Sequence, residues 1–237
     1  MGRELNRPAI VGHRANSLRR LLRYVLDEID FIEIDVQYDG MMKQHIVRHP
    51  PEEIWKISTT YNRPGWLSKL YSTLYIRGYI PLEGFLDIVS THLRGNIKGI
   101  MLDIKTPAKD DELERSLEEY IEQFQIYITS KNHMIIESLN LNNIEKLVTL
   151  TERLYKPWIY LSQLDIDGVS IDHRILDSEY LDELRELDLD IAIWTVNEMP
   201  SLEKLLRKDI DMIISDIPGK VRYIAQRMVD GAEIDRK

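Results

Sequence analysis

The run Phe31-Ile-Glu-Ile-Asp-Val36 decides the fold class, because it is a strand-length apolar segment interrupted only by two acidic residues. Lys98-Gly-Ile-Met-Leu-Asp-Ile104 repeats the pattern further along the chain. Six more short apolar runs resemble them: 8–12, 133–136, 158–161, 168–171, 190–194 and 211–214. Apolar strands that alternate with amphipathic helices predict a parallel sheet covered by helices. Eight such strands predict an α/β fold of the closed (β/α)8 type, a TIM barrel.

The segments between the predicted strands carry apolar residues at helical spacing. Three of these stripes are predicted to be helices that face the core: Leu18, Leu21, Leu22, Val25 and Leu26; then Leu113, Leu117, Tyr120, Ile121 and Phe124; then Ile144, Leu147 and Val148. Only residues 162–167 separate the fifth and sixth predicted strands. This is too few for a packed crossover helix, so one irregular unit is predicted there.

An aromatic-rich insertion is predicted after the second strand. Residues 50–79 interrupt the alternation and hold six aromatic side chains: Trp55, Tyr61, Trp66, Tyr71, Tyr75 and Tyr79. We interpret the whole chain, 1–237, as a single TIM-barrel domain in which 50–79 forms a cap over the catalytic mouth. The alternative is a small core that covers a barrel flank or a subunit contact.

Composition limits the partners and cofactors. The chain has 237 residues, no cysteine and a formal charge of −9. Any metal must therefore be bound by oxygen or imidazole ligands, and a nucleic-acid partner is disfavoured. No apolar run approaches the roughly 18 residues of a membrane span, and the start lacks a signal-like apolar stretch. We expect no stable membrane insertion and a cytoplasmic location, while the oligomeric state stays open.

Polar residues that end the predicted strands are the candidates for chemistry, since a TIM barrel places its catalytic face there. Glu33 and Asp35 are two residues apart, so their side chains share one face of a strand, as do those of Asp103 and Lys105. Three converging carboxylates would repel one another without a cation. The pattern predicts one divalent cation, Mg²⁺ or Ca²⁺, bound by Glu33, Asp35 and Asp103. The alternative is neutralisation by Arg14 and Lys105 alone.

Two histidines and an arginine supply the other parts of a phosphoryl-transfer site. His13-Arg14 ends the first strand, and His49 follows the apolar pair Ile46-Val47. An imidazole can accept or donate a proton near neutral pH, and a guanidinium can bind phosphate through two hydrogen bonds. His13 and His49 are therefore the candidate catalytic residues, with His45 as a nearby competitor.

The order of these motifs resembles the glycerophosphodiester phosphodiesterase family. The likeness is carried by His13-Arg14, Asn16-Ser17, Glu33-x-Asp35, Asp39-Gly40, Ile46-Val-Arg-His49, Ile80-Pro-Leu-Glu83, Leu102-Asp-Ile-Lys105, Ile135-Ile-Glu-Ser138, Ile193-Trp-Thr-Val-Asn197 and Asp211-Met-Ile-Ile-Ser-Asp216-Ile-Pro218. Ser138 is taken as the family's serine on the fourth strand. Three features depart from the family pattern: the loop after His13 is shorter, Asp103 stands where the family usually has Glu, and Pro50 follows His49 where the family usually has Asp.

The resemblance implies an enzyme that hydrolyses a small glycerophosphodiester to glycerol phosphate and an alcohol with the help of a divalent cation. It implies that His13 and His49 are the general acid and base, in an order that the sequence does not assign. A glycerol hydroxyl of the substrate would attack phosphorus first, and water would then open the resulting cyclic phosphate. Arg14 and Lys105 would bind the phosphate.

Trp194, Asn197 and Asp216 lie at the ends of the last two predicted strands. Trp194 is expected to wall the glycerol side of the pocket, with a barrel-core aromatic as the alternative, whereas Asn197 and Asp216 are expected to cap and brace loops. Two other functions stay open. One is hydrolysis of lysophospholipids, with 50–79 receiving an acyl chain during a transient contact with a phospholipid surface. The other is a barrel that binds a phosphodiester or a metal without turnover.

Overall fold

The computed structural model describes residues 7–40, 42–49, 79–106, 112–140 and 142–234. Within them, ten strands form one sheet: β1 (Ala9–Gly12), β2 (Phe31–Asp39), β3 (Gln44–Val47), β4 (Ile80–Pro81), β5 (Gly99–Ile104), β6 (Gln125–Ser130), β7 (Glu145–Leu150), β8 (Gly168–Asp172), β9 (Asp190–Trp194) and β10 (Met212–Ser215). Eight of these strands pair in parallel, and β1 pairs with both β10 and β2. This closes the sheet, so the TIM-barrel prediction is confirmed.

Helices cover the outside of the barrel. In the described part of the chain they are α1 (Leu18–Leu26), α2 (Leu82–Leu93), α3 (Glu112–Leu117), α4 (His133–Ser138), α5 (Pro157–Leu161), α6 (Ser178–Arg185), α7 (Met199–Leu205) and α8 (Pro218–Ile234). Ser17 caps the N-terminus of α1, because its hydroxyl accepts a hydrogen bond from the backbone N–H of Arg20. None of these helices combines the length and the apolar character that a bilayer crossing requires.

Strand β2 is longer than its barrel neighbours and carries an antiparallel extension. Strand β3 folds back along it, with Val36 opposite Val47 and Asp39 opposite Gln44. The backbone N–H of Arg48 then donates to the carbonyl of Asp35 at 2.8 Å. The chain that leaves β3 therefore returns to the rim of the barrel beside Asp35.

The core has two layers that alternate along each strand. Side chains inside the barrel form one buried cluster: Val11, Phe31, Met101, Tyr127, Leu147, Ala192, Met212 and Ile214. A larger cluster fills the space between the sheet and the helices. Because side chains alternate across a strand, the next inward position on β2 and β5 belongs to Glu33 and Asp103. The inner cluster thus forms an apolar floor under the polar rim.

The fourth and fifth strands were predicted in the wrong places. Residues 133–136 lie in helix α4, and the fourth barrel strand is Gln125–Ser130. The side chain of Asn132 accepts a hydrogen bond from the N–H of Met134 and caps that helix. The predicted helix ran through Phe124 and so reached the start of the true strand, but α3 ends at Leu117. Ser138 is therefore helical, and Ser130 ends the fourth strand.

The fifth strand is Glu145–Leu150, which the apolar spacing had assigned to a helix, and 158–161 belongs to helix α5. Charged residues open this strand, and their charge hid the strand pattern in the sequence. In the structure the Lys146 ammonium group bonds Asp165. Pro157 at the first helical turn is the overlooked signal for α5. The predicted short connection between the fifth and sixth strands is therefore wrong, since residues 151–167 and α5 connect them.

Two further predictions concern surface segments. In α1, Leu21 is buried, but Leu18, Leu22 and Leu26 are exposed, so the predicted core stripe is only partly right. The predicted cap at 50–79 lies outside the described residues apart from Tyr79. The residues on its two sides are neighbours, because Val47 pairs with Ile80.

Candidate active site

One pocket opens at the carboxyl end of the barrel strands. Its empty space, including the part open to solvent, is about 530 Å³. It is lined by His13, Arg14, Glu33, His49, Met101, Asp103, Lys105, Thr129, Lys131, Thr149, Ser170, Trp194, Thr195 and Ile214. The pocket therefore brings together every site residue predicted from the sequence except Asp35, which lies fully buried beside it.

The three predicted metal ligands form a compact cluster. Glu33, Asp35 and Asp103 offer oxygen atoms that lie within 4.8 Å of one another, and within the described ranges no other group of acidic and histidine residues does so. Among the residues that the structure describes, the buried Oδ1 atom of Asp103 has no hydrogen-bond partner. Clustered carboxylate oxygens with a spare acceptor are the donor set that Mg²⁺ and Ca²⁺ require. These residues fit a hard divalent cation.

Positive groups also approach Asp35. The Lys105 ammonium lies 2.8 Å from Asp35 Oδ1 and bonds Asp103 as well. Asn16 donates to Asp35 Oδ2 at 2.6 Å and accepts from the Asp35 N–H at 2.9 Å. Arg14 Nε lies 3.7 Å from Asp35 Oδ2. The neutralisation weighed as the alternative to a metal is thus partly present, chiefly around Asp35.

Glu33 has a different environment, although it is a neighbour of Asp35. It is buried, and its Oε2 accepts a hydrogen bond of 2.6 Å from the backbone N–H of Arg14. Burial and the adjacent charge of Asp35 raise the pKa of Glu33 to about 7. Burial alone would also raise the pKa of Asp35, but Lys105 and Asn16 outweigh it, and the pKa of Asp35 is lowered. Glu33 is therefore the carboxylate that most lacks a cation.

Arg14 has a backbone conformation that fits this contact. Its φ of 53° lies in the left-handed region, which costs a non-glycine residue about 1–2 kcal/mol. The hydrogen bond from its N–H to buried Glu33 helps to offset that cost. The short loop after His13 is thereby tied to the carboxylate cluster.

His13 is held by an aspartate that was expected only to brace a loop. Its Nδ1 lies 3.0 Å from Asp216 Oδ1, and its Nε2 lies 4.0 Å from Glu33 Oε2. Burial favours the neutral ring, but the Asp216 hydrogen bond and the charges of Glu33 and Asp216 outweigh it, so the pKa of His13 is raised. The same hydrogen bond lowers the pKa of Asp216 to about 2. Asn197 donates to Asp216 Oδ2 at 2.8 Å and braces it, as expected.

Replacing Asp216 by Asn should lower the pKa of His13, because it removes the negative charge that favours the imidazolium and leaves only a neutral amide acceptor. We expect the His13 resonances in an NMR titration, recorded with chelator present, to move at a lower pH in Asp216→Asn than in the wild type. Asp182→Asn, an exposed change on α6 that removes the same charge, is the control. An unchanged His13 titration in Asp216→Asn would contradict this assignment.

His49 reaches the pocket because β3 returns the chain to Asp35. Its Nε2 lies 2.8 Å from an Arg14 guanidinium nitrogen. A guanidinium can only donate, so Nε2 is the acceptor, and its lone pair points at the Arg14 guanidinium. His45, the competing candidate, lies opposite Tyr38 in β3 and lines a different pocket with Glu83 and Glu112. The structure brings His13, Arg14 and His49 together and leaves His45 apart.

Several pocket residues were not found from the sequence. Thr129, Thr149 and Ser170 line the pocket from strands β6, β7 and β8, and Lys131 follows β6 at its mouth. The misplaced fourth and fifth strands concealed three of them, because the residues were not recognised as strand ends. The alternation Tyr127-x-Thr129-x-Lys131 is the signal that could have found Lys131.

Comparisons with known proteins agree on the fold. No protein-family model matches the sequence, and no curated protein is significantly similar to it. A glycerophosphodiester phosphodiesterase from Parabacteroides distasonis superposes with a TM-score of 0.73 at 16% identity, over 94% of this chain and 99% of that one. The corresponding enzyme from Thermotoga maritima gives 0.67 at 16%, over 92% and 99%.

A phosphodiesterase from Oleispira antarctica, solved in complex with the product sn-glycerol-3-phosphate, gives a TM-score of 0.68 at 17% identity, over 92% of this chain and 96% of that one. Identities this low leave the assignment of function to the geometry of the site. This chain has the same barrel fold as these phosphodiesterases.

Proposed function

We propose that this protein is a glycerophosphodiester phosphodiesterase, which hydrolyses a small glycerophosphodiester to glycerol phosphate and an alcohol. The observation that best supports the proposal is one pocket that gathers two imidazoles and a guanidinium beside a three-carboxylate cluster at the catalytic end of the barrel. The barrel fold shared with phosphodiesterases, one of them bound to sn-glycerol-3-phosphate, supports the same class of substrate.

Glu33, Asp35 and Asp103 would hold the divalent cation, Mg²⁺ or Ca²⁺. When bound, such a cation supplies Lewis-acid stabilisation of negative charge on the phosphoryl oxygens. The chain itself supplies further positive charge. The Arg14 guanidinium would bind the phosphate bidentately, and its Nε is buried without a hydrogen bond among the described residues. Lys105 would balance Asp35 and Asp103 and add to the positive field.

The two histidines differ in a way that supports an order of proton transfers. The Nε2 atom of His49 accepts a hydrogen bond from Arg14 and so carries a lone pair. Once Arg14 turns to the phosphate, this lone pair would take the proton from the attacking glycerol hydroxyl as that oxygen bonds phosphorus. The hydrogen bond to Asp216 favours the protonated form of His13, so His13 would give its Nε2 proton to the alkoxide that leaves phosphorus. The roles would reverse when water opens the cyclic phosphate, which restores both histidines.

Turnover that depends on a divalent cation is the direct test. The full chain, incubated with glycerophosphoserine, glycerophosphoethanolamine, glycerophosphoglycerol and glycerophosphocholine, should release glycerol phosphate from at least one of them. The release should stop with chelator and return with added Mg²⁺ or Ca²⁺. Cation binding by calorimetry without turnover of any substrate would instead support the binding-barrel alternative.

Lysophospholipids are a second candidate substrate class, and a surface patch favours them. Helices α4 and α5 follow β6 and β7 at the catalytic end, and His133 stacks on Tyr160 between them with ring centroids 5.7 Å apart. Large apolar side chains are exposed around this contact: Met134, Tyr155, Trp158, Ile159 and Tyr160. Such residues suit a transient contact with a phospholipid surface. Release of glycerol phosphate from the four water-soluble substrates at rates far below the release of choline from lysophosphatidylcholine would favour lysophospholipids as the substrate class.

A further inference from the structure

Lys131 lies at the mouth of the pocket. It follows the last residue of β6 and lines the pocket together with Thr129, which is two residues earlier on the same face of the strand. Its Nζ lies 5.2 Å from the centroid of the Trp194 ring. The ammonium group therefore faces the space that a bound substrate would share with Trp194.

Lys131 is the pocket cation with the fewest partners in the part of the chain that the structure describes. Lys105 bonds Asp35 and Asp103, and Arg14 bonds His49. Lys131, in contrast, has no carboxylate within ion-pair distance among these residues. Its nearby carboxylates are Asp103 and Asp172, and Asp172 is itself bonded by Arg174. An ammonium in this position has room for an anionic partner from outside the protein.

The local electrostatics agree with that geometry. Partial burial and the neighbouring charge of Lys105 lower the pKa of Lys131, which means that its charged form lacks compensation. A second anionic group on a bound substrate would supply the missing charge. A cationic alcohol would add a like charge in the same space and would be disfavoured.

The contact with Trp194 strengthens this discrimination. The face of an indole ring is a favourable place for a quaternary ammonium group such as that of choline. Here the Lys131 ammonium lies over the Trp194 ring. A choline head group would have to displace a lysine cation to reach the same surface.

We propose that Lys131 is a specificity-determining residue that selects phosphodiesters carrying a second negative charge over those whose alcohol is cationic. The inference rests on the proposed function and specifies its substrate class. It assigns Lys131 to substrate recognition and leaves the proton transfers to His13 and His49. The anionic group that it recognises is a carboxylate or a phosphate placed beside the scissile phosphodiester.

Glycerophosphoserine and glycerophosphoethanolamine form a matched pair for the test, because they differ by one carboxylate. For the full chain with divalent cation we expect kcat/KM to favour the serine compound by about fivefold, the value of one partly screened ion pair. Lys131→Met should bring the ratio close to one and raise relative turnover of glycerophosphocholine, while Lys131→Arg should keep the preference. Lys204→Met, an exposed lysine on α7, is the control for net charge.

The outcomes separate this inference from the proposed function. A wild type that turns over both compounds equally, or a Lys131→Met variant with an unchanged ratio, overturns the role of Lys131 while leaving the enzyme in place. Absence of turnover with all substrates counts against the proposed function. In that case calorimetric binding of the same two compounds tests the role of Lys131. Lys131→Met should weaken binding of the serine compound selectively, and an equal loss of affinity for both compounds overturns the inference.

Discussion

Glu33→Gln should abolish turnover and divalent-cation binding while making the cation-free protein more stable at neutral pH. Glu33 is one of three clustered carboxylates, so the change removes a ligand charge that the proposed cation needs. A glutamine oxygen can still accept the hydrogen bond from the Arg14 N–H, so the loop after His13 keeps its contact. What disappears is a buried negative charge next to Asp35.

The stability effect depends on pH in a defined direction. Glu33 has its pKa raised to about 7 in the folded protein, above the usual glutamate value. The folded state therefore holds this proton more tightly than the unfolded chain does, and stability falls as pH rises from about 4.5 to about 7. Glu33→Gln removes this loss, so its gain should be full above that window and vanish below it. We expect a gain on the order of 2 kcal/mol.

Thermal denaturation at pH 5 and pH 8, with chelator and then with added Mg²⁺ or Ca²⁺, measures both effects. Added cation should raise the melting temperature of the wild type, because ligand binding stabilises the folded state, and should leave that of Glu33→Gln unchanged. Glu203→Gln, an exposed change on α7, is the matched control and should behave like the wild type. Undiminished turnover by Glu33→Gln would contradict the proposed metal site.

Asp35 gives an internal contrast with Glu33. Its pKa is lowered because Lys105 and Asn16 overcome the effect of burial. Asp35→Asn should also stop turnover, but it removes a compensated charge and leaves Lys105 with Asp103 as its one ion-pair partner among the described residues. The sequence gives both residues the same pattern and predicts the same relief of repulsion for both. The structure separates them, because only three-dimensional packing places Lys105 against Asp35.

The barrel was predictable because strands such as β2 and β5 are apolar apart from acidic residues at inward positions, and because such strands recur with helices between them. Two strands were misplaced for physical reasons. The β6 segment follows a helical stripe without a clear break, and β7 opens with Glu145 and Lys146, whose charge obscures a strand. The apolar pair in α4 was then wrongly predicted to be part of a strand. Tertiary packing against the barrel overrides these short local patterns.

The predicted site residues meet in one pocket because their motifs mark strand ends independently of the misplaced elements. Glu33, Asp35 and Asp103 share inward positions that follow from alternation along a strand. The bond between His13 and Asp216 could not be read from sequence, since it joins β1 to β10 only when the barrel closes. Lys131 was missed because its strand was misplaced. The parts of the site that the sequence did not predict depend on long-range contacts and on the exact ends of the strands.

His49→Ala should lose about 10²- to 10⁴-fold in kcat, the usual effect of removing a positioned acid or base, whereas His45→Ala should lose little. His49 lines the pocket with Arg14, while His45 lies opposite Tyr38 with its ring in a separate pocket. His13→Ala should match His49→Ala. Since His45 is buried, its variant should melt at a lower temperature, so kcat is compared at a temperature where all variants are folded.

A second replacement distinguishes proton transfer from positioning of Arg14. A glutamine at position 49 offers Arg14 a carbonyl acceptor but cannot exchange a proton near neutral pH. If His49 is the base, His49→Gln should be as inactive as His49→Ala, and added imidazole should partly restore the alanine variant. An active His49→Gln would reduce His49 to a partner of Arg14. An inactive His45→Ala beside an active His49→Ala would reverse the assignment. That result would require β3 to present His45 to the pocket. The pairing of Val36 with Val47, which brings the chain after β3 back to Asp35, argues against such an arrangement.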